Sequence, residues 1–345
     1  MGLKIGMIAP WGKNIRCGIR SYSEKLVNAL VQLGVDVYVI RYPRFGFRSP
    51  ELIESCVLDK IPRNVDLVHV QHEYGLFTPD LEGGFYAYLK RLGKPCITTM
   101  HAIGNFAVDK VVADVSERVI CHNEFCARHF QGNPQKVVVI PHGCEPTQTP
   151  PLDECKRALG IDPRIPVVGY QGFISPPKGV EQLVQAMIGV PNAALLVGGG
   201  WVVGEETQYI MSLKQWSLEV LKGRCKWLGY VPDERLPTVY GAMDILCYCS
   251  RTATESGALL MGLSHGRPTI ASRLPPFKEK EKQGALITFR DVKDLKRKIK
   301  RLLKDEDLRM KLAEGARRYA ESVKWHPTIA ERHISLYQDV IKRCG

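Results

Sequence analysis

Two periodicities take turns along the chain. Short apolar runs that end in glycine, proline or polar residues alternate with segments whose apolar residues return at helical spacing. Leu3 to Ala9 reads as a buried strand, Ile19, Tyr22, Leu26, Leu30 and Leu33 as one face of a helix that stops at Gly34, and Val35 to Ile40 as the next strand. Strands follow at Leu67 to Val70, Ile97 to Met100, Arg118 to Cys121 and Val137 to Ile140. The alternation breaks at Pro146-Thr147-Gln148-Thr149-Pro150-Pro151, a linker signal, and restarts with strands at Val167 to Gly172, Ala194 to Val197, Lys226 to Leu228, Ile245 to Cys249, Thr269 to Ala271 and Ala285 to Thr288. This order predicts an α/β protein of two doubly wound domains, 1–148 and 149–323, with a terminal helix over 324–345. That helix is expected to carry Pro327 in its first turn and to bury Ile329, Ile334, Leu336, Tyr337 and Ile341. No internal repeat relates the halves, so they read as separate folds.

A length of 345 residues suits two domains with their own cores, and an apolar share of 45% suits a soluble protein. No apolar run approaches the roughly 18 residues that span a bilayer, and the N-terminal run around Lys4 reads as a strand rather than a leader. The eleven cysteines, among them Cys96, Cys121, Cys247 and Cys249, are scattered through apolar strands and are expected to be reduced, as in a cytoplasmic protein. Of the nine histidines, His69 with His72 and His122 with His129 pair on paper, but no set has a compact zinc spacing, so no metal is expected. The net charge of +12 favours an anionic partner. Much of it lies between Asp291 and Arg318, where Leu295, Ile299, Leu302, Leu303, Leu308, Leu312 and Ala316 recur at helical spacing and put the cations on solvated faces. A solvated helical face is expected first, and peripheral contact with an anionic membrane surface, at the inner face, second. No nucleic-acid partner is expected, because the cations are not interleaved with aromatics.

Ligands of open parallel sheets bind beyond the carboxyl ends of the strands. Here those ends carry Pro10 to Gly18, Gln71-His72-Glu73-Tyr74, His101, His122-Asn123-Glu124, His142-Gly143, Phe173 to Gly179, Gly198-Gly199-Gly200 and Arg251 to Gly257. The loop Arg251 to Gly257 opens onto a helix Ala258 to Ser264, whose free N–H groups would suit a phosphate. Lys178-Gly179 also precedes a helix, marked by Val180, Leu183, Val184 and Met187, and offers a compact cation there; a plain surface lysine is the other reading. Gly18-Ile19-Arg20 permits close backbone approach to a phosphate or is simply a turn. His101 offers an imidazole at a strand end, either to a ligand or to the core. Gly198-Gly199-Gly200 is no dinucleotide fingerprint, since the first strand's loop lacks G-x-G-x-x-G, and no phosphate-binding G-x-x-x-x-G-K-[ST] run occurs.

Gly229, Pro232 to Leu236, Tyr240 to Asp244, Ser250, Gly257 and Gly266-Arg267-Pro268 form a series that resembles the donor-binding core of retaining glycosyltransferases of the GT-B fold, family 4. The resemblance implies two Rossmann-like domains facing across a cleft, and transfer of a sugar from a nucleotide-diphosphate donor to an acceptor hydroxyl with retention, without a metal. Gly172 and Lys178-Gly179 match the family's G-R-L-x-x-x-K-G, with Phe173 in place of the arginine, so Arg251 or Arg267 would supply the missing cation. The resemblance makes His101, Lys178 and Glu255 the catalytic candidates. It gives Gly18, Ile19, Lys178, Arg251, Ser256, Gly257 and Ala258 to the diphosphate, and Gly172, Phe173, Gly200, Tyr230 and Val231 to the nucleotide pocket. Arg20, Glu73 and Asn123 fall on the acceptor side. The family's Glu-x7-Glu pair is absent, its slots holding Ala253 and Met261, with Glu255 two residues from the first. Two other functions stay open: a binding subunit without turnover, and a sugar-nucleotide epimerase that would need Glu73 and Glu124 as acid and base.

Overall fold

The structure is a computed structural model that describes residues 2–12, 17–41, 49–76, 79–104, 106–200 and 207–344, with the backbone alone at 50, 52, 56, 76 and 79–83. The chain forms two compact units, Met1–Gly143 together with Val323–Gly345, and Cys144–Ser322.

In the first unit the strands are β1 (Lys4–Ala9), β2 (Asp36–Arg41), β3 (Leu67–His72), β4 (Cys96–Met100), β5 (Arg118–Cys121) and β6 (Val137–Val139). All pair in parallel, in the order β2-β1-β3-β4-β5-β6. Helices cover the sheet, so β3 is buried at every position, His69, Gln71 and His72 included. The helix Gly18–Gln32 buries Tyr22, Leu26 and Leu30, each worth about 1.5–3 kcal/mol relative to exposure for the leucines. The direction of winding reverses between β1 and β3, which makes that pair of strand ends the place where a ligand crevice opens. Residues 13–16 of the expected phosphate loop lie outside the described residues.

In the second unit the strands are β7 (Val167–Gln171), β8 (Ala194–Gly198), β9 (Cys225–Gly229), β10 (Ile245–Tyr248), β11 (Thr269–Ser272) and β12 (Ile287–Phe289), again all parallel, in the order β12-β11-β10-β7-β8-β9. Here the winding reverses between β7 and β10, so the loops after those two strands flank the crevice.

Two details differ from the sequence pattern. The basic amphipathic segment is two helices, Val292–Lys304 and Glu306–Ser322, because Asp305 leaves helical geometry and its Oδ1 accepts from the Leu308 N–H at 2.9 Å, capping the second. The C-terminal helix is regular over Ala330–Cys344 and buries His333, Leu336, Tyr337 and Val340, while Ile334 and Ile341 are only partly covered. The face is turned by a polar anchor: Tyr337 Oη lies 2.7 Å from His69 Nδ1 in β3.

Candidate active site

In the second unit the ends of β7, β8 and β9 meet backbone to backbone. Gly172 N–H donates to the Gly198 carbonyl at 3.1 Å and Gly199 N–H to the Gly229 carbonyl at 2.7 Å. A Cβ on Gly199 would stand 1.8 Å from the Gly172 carbonyl oxygen, and Gly199 has φ +125°, so this floor admits only glycine. Tyr230, 48% exposed, and Val231, which is buried, continue from β9, and Gly200 accepts from the Ile174 N–H at 3.1 Å. Phe173 carries no cation; its carbonyl accepts from Tyr170 Oη at 2.6 Å.

Lys178 closes a 3-10 turn, Pro176–Lys178, and Gly179 follows in the left-handed region at φ 61°. A Cβ on Gly179 would meet the Cys249 carbonyl at 2.2 Å, and Arg251 N–H bonds the Pro177 carbonyl at 2.8 Å, so the Lys178 loop is fastened to the end of β10. Lys178 is half-buried, and burial pushes its ammonium below the usual lysine range. No carboxylate among the described residues pairs with it.

The helix Gly257–Ser264 begins beside this loop, a Cβ on Gly172 standing 3.0 Å from the Ala258 Cβ. Ser256 is its cap, Oγ accepting from the Leu259 N–H at 3.2 Å. Tyr248 and Tyr240 hydroxyls both donate to the Ala258 carbonyl, at 2.6 and 3.3 Å, and fix the first turn. The N–H groups of Gly257 and Ala258 have no acceptor among the described residues. A half-buried cation and two open N–H groups at a positive helix end make an anion site.

Three expected cations or carboxylates take other partners. Arg251 is exposed and ion-paired with Glu181, which also accepts from Tyr209 Oη at 2.6 Å, so Arg251 is not free for a phosphate. Arg267 is a strut: its guanidinium donates to the carbonyls of Gly241, Met243 and His265 and to Thr149 Oγ1, and cannot replace the missing arginine. Glu255 turns inward, Oε1 accepting from Ser256 N–H at 2.8 Å and Oε2 from Lys280 Nζ at 2.8 Å, with both side chains at most 6% exposed. Its carboxylate anchors the loop instead of being offered to a sugar hydroxyl. Nothing in the sequence near Glu255 marks Lys280 as its partner, although Phe277 and Lys280 share a helical face and both are buried.

In the first unit, Gly18 opens its helix with open space where a Cβ would stand, and Cys17 gives no side-chain cap. Ile19 points into the core, so only its backbone can serve a ligand, and Arg20 pairs with Glu24 at 2.6 Å. Asn123 is buried and caps the turn Glu124–Ala127, Oδ1 accepting from Cys126 N–H at 2.9 Å; this corrects its acceptor role. Glu73 is half-buried, and burial raises its carboxyl above the usual range against the opposing pull of the Gly75 N–H. His101 Nε2 lies 2.9 Å from Gln71 Oε1 and Nδ1 lies 3.4 Å from His122 Nε2, while the ring packs edge-on to Tyr22. Burial, then the imidazoles of His122, His142, His69 and His72, hold His101 well below the usual histidine range, so it is neutral. Sequence reasoning named His101 but not its orienting partners Gln71 and His122; both stood at strand ends, which was their signal. His129 pairs with Asp109 at 2.6 Å rather than with His122, and the described residues contain no group of metal-ligating side chains.

Residues 153–319 match the family described as Glycosyl transferases group 1. D-inositol 3-phosphate glycosyltransferase of Corynebacterium kroppenstedtii is 23% identical over 264 residues, 69% of this chain and 57% of that protein, and the Corynebacterium jeikeium protein of the same name is 27% identical over 219 residues, 59% and 51%. The matches thus span little more than half the length of these relatives. Among solved structures, Anabaena HepE in complex with UDP superposes with a TM-score of 0.77 at 17% identity, covering 98% of this chain and 100% of that one. Sucrose-phosphate synthase from Thermosynechococcus elongatus gives 0.78 at 18%, covering 99% and 100%, and WaaG gives 0.66 at 14%, covering 96% and 99%. The family match lies inside Cys144–Ser322, so it is this second unit that is similar to the group 1 glycosyltransferases, and the two six-stranded parallel sheets flanked by helices give the chain the GT-B fold of the solved structures.

Proposed function

We propose that this chain transfers a sugar from a nucleotide-diphosphate sugar to an acceptor hydroxyl with retention of configuration. The observation that carries this is Lys178, a half-buried ammonium without a carboxylate partner among the described residues, beside the open N–H groups of Gly257 and Ala258. As the bond from the anomeric carbon to the diphosphate breaks, negative charge grows on the leaving oxygen, and a fixed cation and helix end stabilise it without reorganising.

The test is incubation with a panel of nucleotide sugars and candidate acceptors. Release of nucleoside diphosphate with a product of unchanged anomeric configuration supports the reading; binding without release points to the second one. That second reading is a binding subunit, favoured by Ala253 and Met261 in the family's glutamate slots and by the inward turn of Glu255. Among the described residues no helix is long and apolar enough to cross a membrane. The exposed Lys293, Arg297, Lys300, Arg301 and Lys304 on one helix would suit peripheral contact with an anionic membrane, at its cytoplasmic face.

A further inference from the structure

Gln171, the last residue of β7, is a polar side chain that the fold buries and does not satisfy. It is 7% exposed, and its Oε1 is buried without a hydrogen-bond partner. The amide nitrogen has no acceptor among the described residues either. Buried amides in folded proteins are almost always paired, so an orphan at a strand end points to a ligand that completes it. The nearest backbone donors on either side are engaged, Gly172 N–H with the Gly198 carbonyl and Gly199 N–H with the Gly229 carbonyl.

The position of the orphan is built. Gln171 pairs in register with Gly198, and Gly198 with Gly229. A Cβ on Gly198 would stand 2.0 Å from Gln171 Oε1 and 3.2 Å from Val231 Cγ2, so the absence of a side chain at 198 is what lets the amide lie between β7 and the residues that follow β9. Lys178 and the helix start at Gly257 lie toward β10 instead. A nucleoside diphosphate with its phosphates over Lys178, Gly257 and Ala258 therefore extends its nucleoside toward Gly198, Val231 and Gln171.

Resting on the donor reading above, we infer that Gln171 reads the nucleobase, its carboxamide pairing with a base edge that sets an N–H donor beside an acceptor. A carboxamide carries both functions in one plane, and rotation about its last torsion presents either end. Lys178 and the helix end recognise the diphosphate whatever the base; Gln171 supplies the discrimination between bases.

The experiment measures binding of UDP, GDP, ADP, CDP and inorganic diphosphate to the wild-type chain, Gln171→Leu and Gln171→Glu. Gln171→Leu should bind its preferred nucleoside diphosphate about tenfold more weakly. It should compress the ranking among bases and leave inorganic diphosphate binding unchanged. Gln171→Glu, which trades the donor end for a second acceptor, should reorder the ranking. A leucine variant with unchanged affinity and ranking overturns the inference. So does a wild-type chain that binds inorganic diphosphate but ranks no base above another, which leaves the donor reading standing. A wild-type chain that binds neither overturns both.

Discussion

Lys280 Nζ lies 2.8 Å from Glu255 Oε2, with the two side chains 3% and 6% exposed. This ion pair ties the helix Pro275–Lys282 to the loop that leads into the anion-binding helix. Burial by itself pulls the Lys280 ammonium down, but the Glu255 charge outweighs it and holds the pKa above the ordinary lysine value. The stability this contributes is fully present below the lysine's unfolded value and is lost as pH rises through the folded one.

Removing one member strands the other. Lys280→Met should destabilise the second unit by about 3–5 kcal/mol in denaturant unfolding, and Lys280→Met with Glu255→Leu should recover much of that loss. A single variant as stable as wild type would show that the pair is not a buried one. Because Glu255 positions the loop, Glu255→Gln should weaken nucleoside diphosphate binding together with turnover, rather than turnover alone.

Lys178→Ala should weaken binding of inorganic diphosphate and of nucleoside diphosphates alike, by about 1.5–3 kcal/mol, the range for a hydrogen bond to a charged group. Lys178 is pushed down by burial, so affinity should begin to fall at a lower pH than for an ordinary lysine. A bound anion holds the proton on, and binding near that pH should take up protons. Calorimetry in buffers of different ionisation enthalpy measures the uptake; equal heats across buffers would count against a titrating Lys178.

The first unit should weaken in mild acid. Burial lowers the imidazoles of His69 and His101 well below the usual range, His72 to about 3 and His333 to about 4. A histidine depressed in the folded state stays neutral there while the unfolded chain takes up protons, so stability is present above the unfolded value of about 6.5 and is lost as pH falls below it. Hydrogen exchange should show β3 and the helix Ala330–Cys344 opening more readily at pH 5 than at pH 7.5; equal protection would refute the neutral cluster.

Acid should loosen the basic helix separately. Burial raises the Asp294 carboxyl, but Arg297, the Arg290 N–H and Lys298 outweigh it and hold it at about 2. Its contribution is present above the unfolded carboxyl value of about 3.9 and is lost as pH falls through about 2. Asp294→Asn should flatten the acid limb of the second unit's unfolding curve between those values.

Met261→Glu tests the helix Gly257–Ser264 from the other side. Met261 is half-buried one turn into that helix. A carboxylate there should tighten nucleoside diphosphate binding, by hydrogen bonds to ribose hydroxyls, without affecting inorganic diphosphate. No gain would place the ribose elsewhere.

The strands, the helix opening at Gly257 and the loop around Lys178 were legible along the chain because short apolar runs, 3.6-residue spacing and glycine or proline breaks are local properties of the sequence. The glycines at 172, 179 and 199 could be read as strand-end punctuation, but only the packed backbone shows what each makes room for. Direction of side chains was another matter. Glu255 turned inward because Lys280, 25 residues away, reached it; Arg267 became a strut because carbonyls of Gly241 and Met243 ended beside it; Ile19 was taken by the core and Asn123 by a neighbouring N–H. Whether a charged or polar side chain faces ligand or protein depends on which partner the fold brings near and on the cost of leaving it unpaired. Those contacts join distant parts of the chain, so tertiary structure alone decided which of the chemically suitable residues kept no protein carboxylate among the described residues, Lys178 among them.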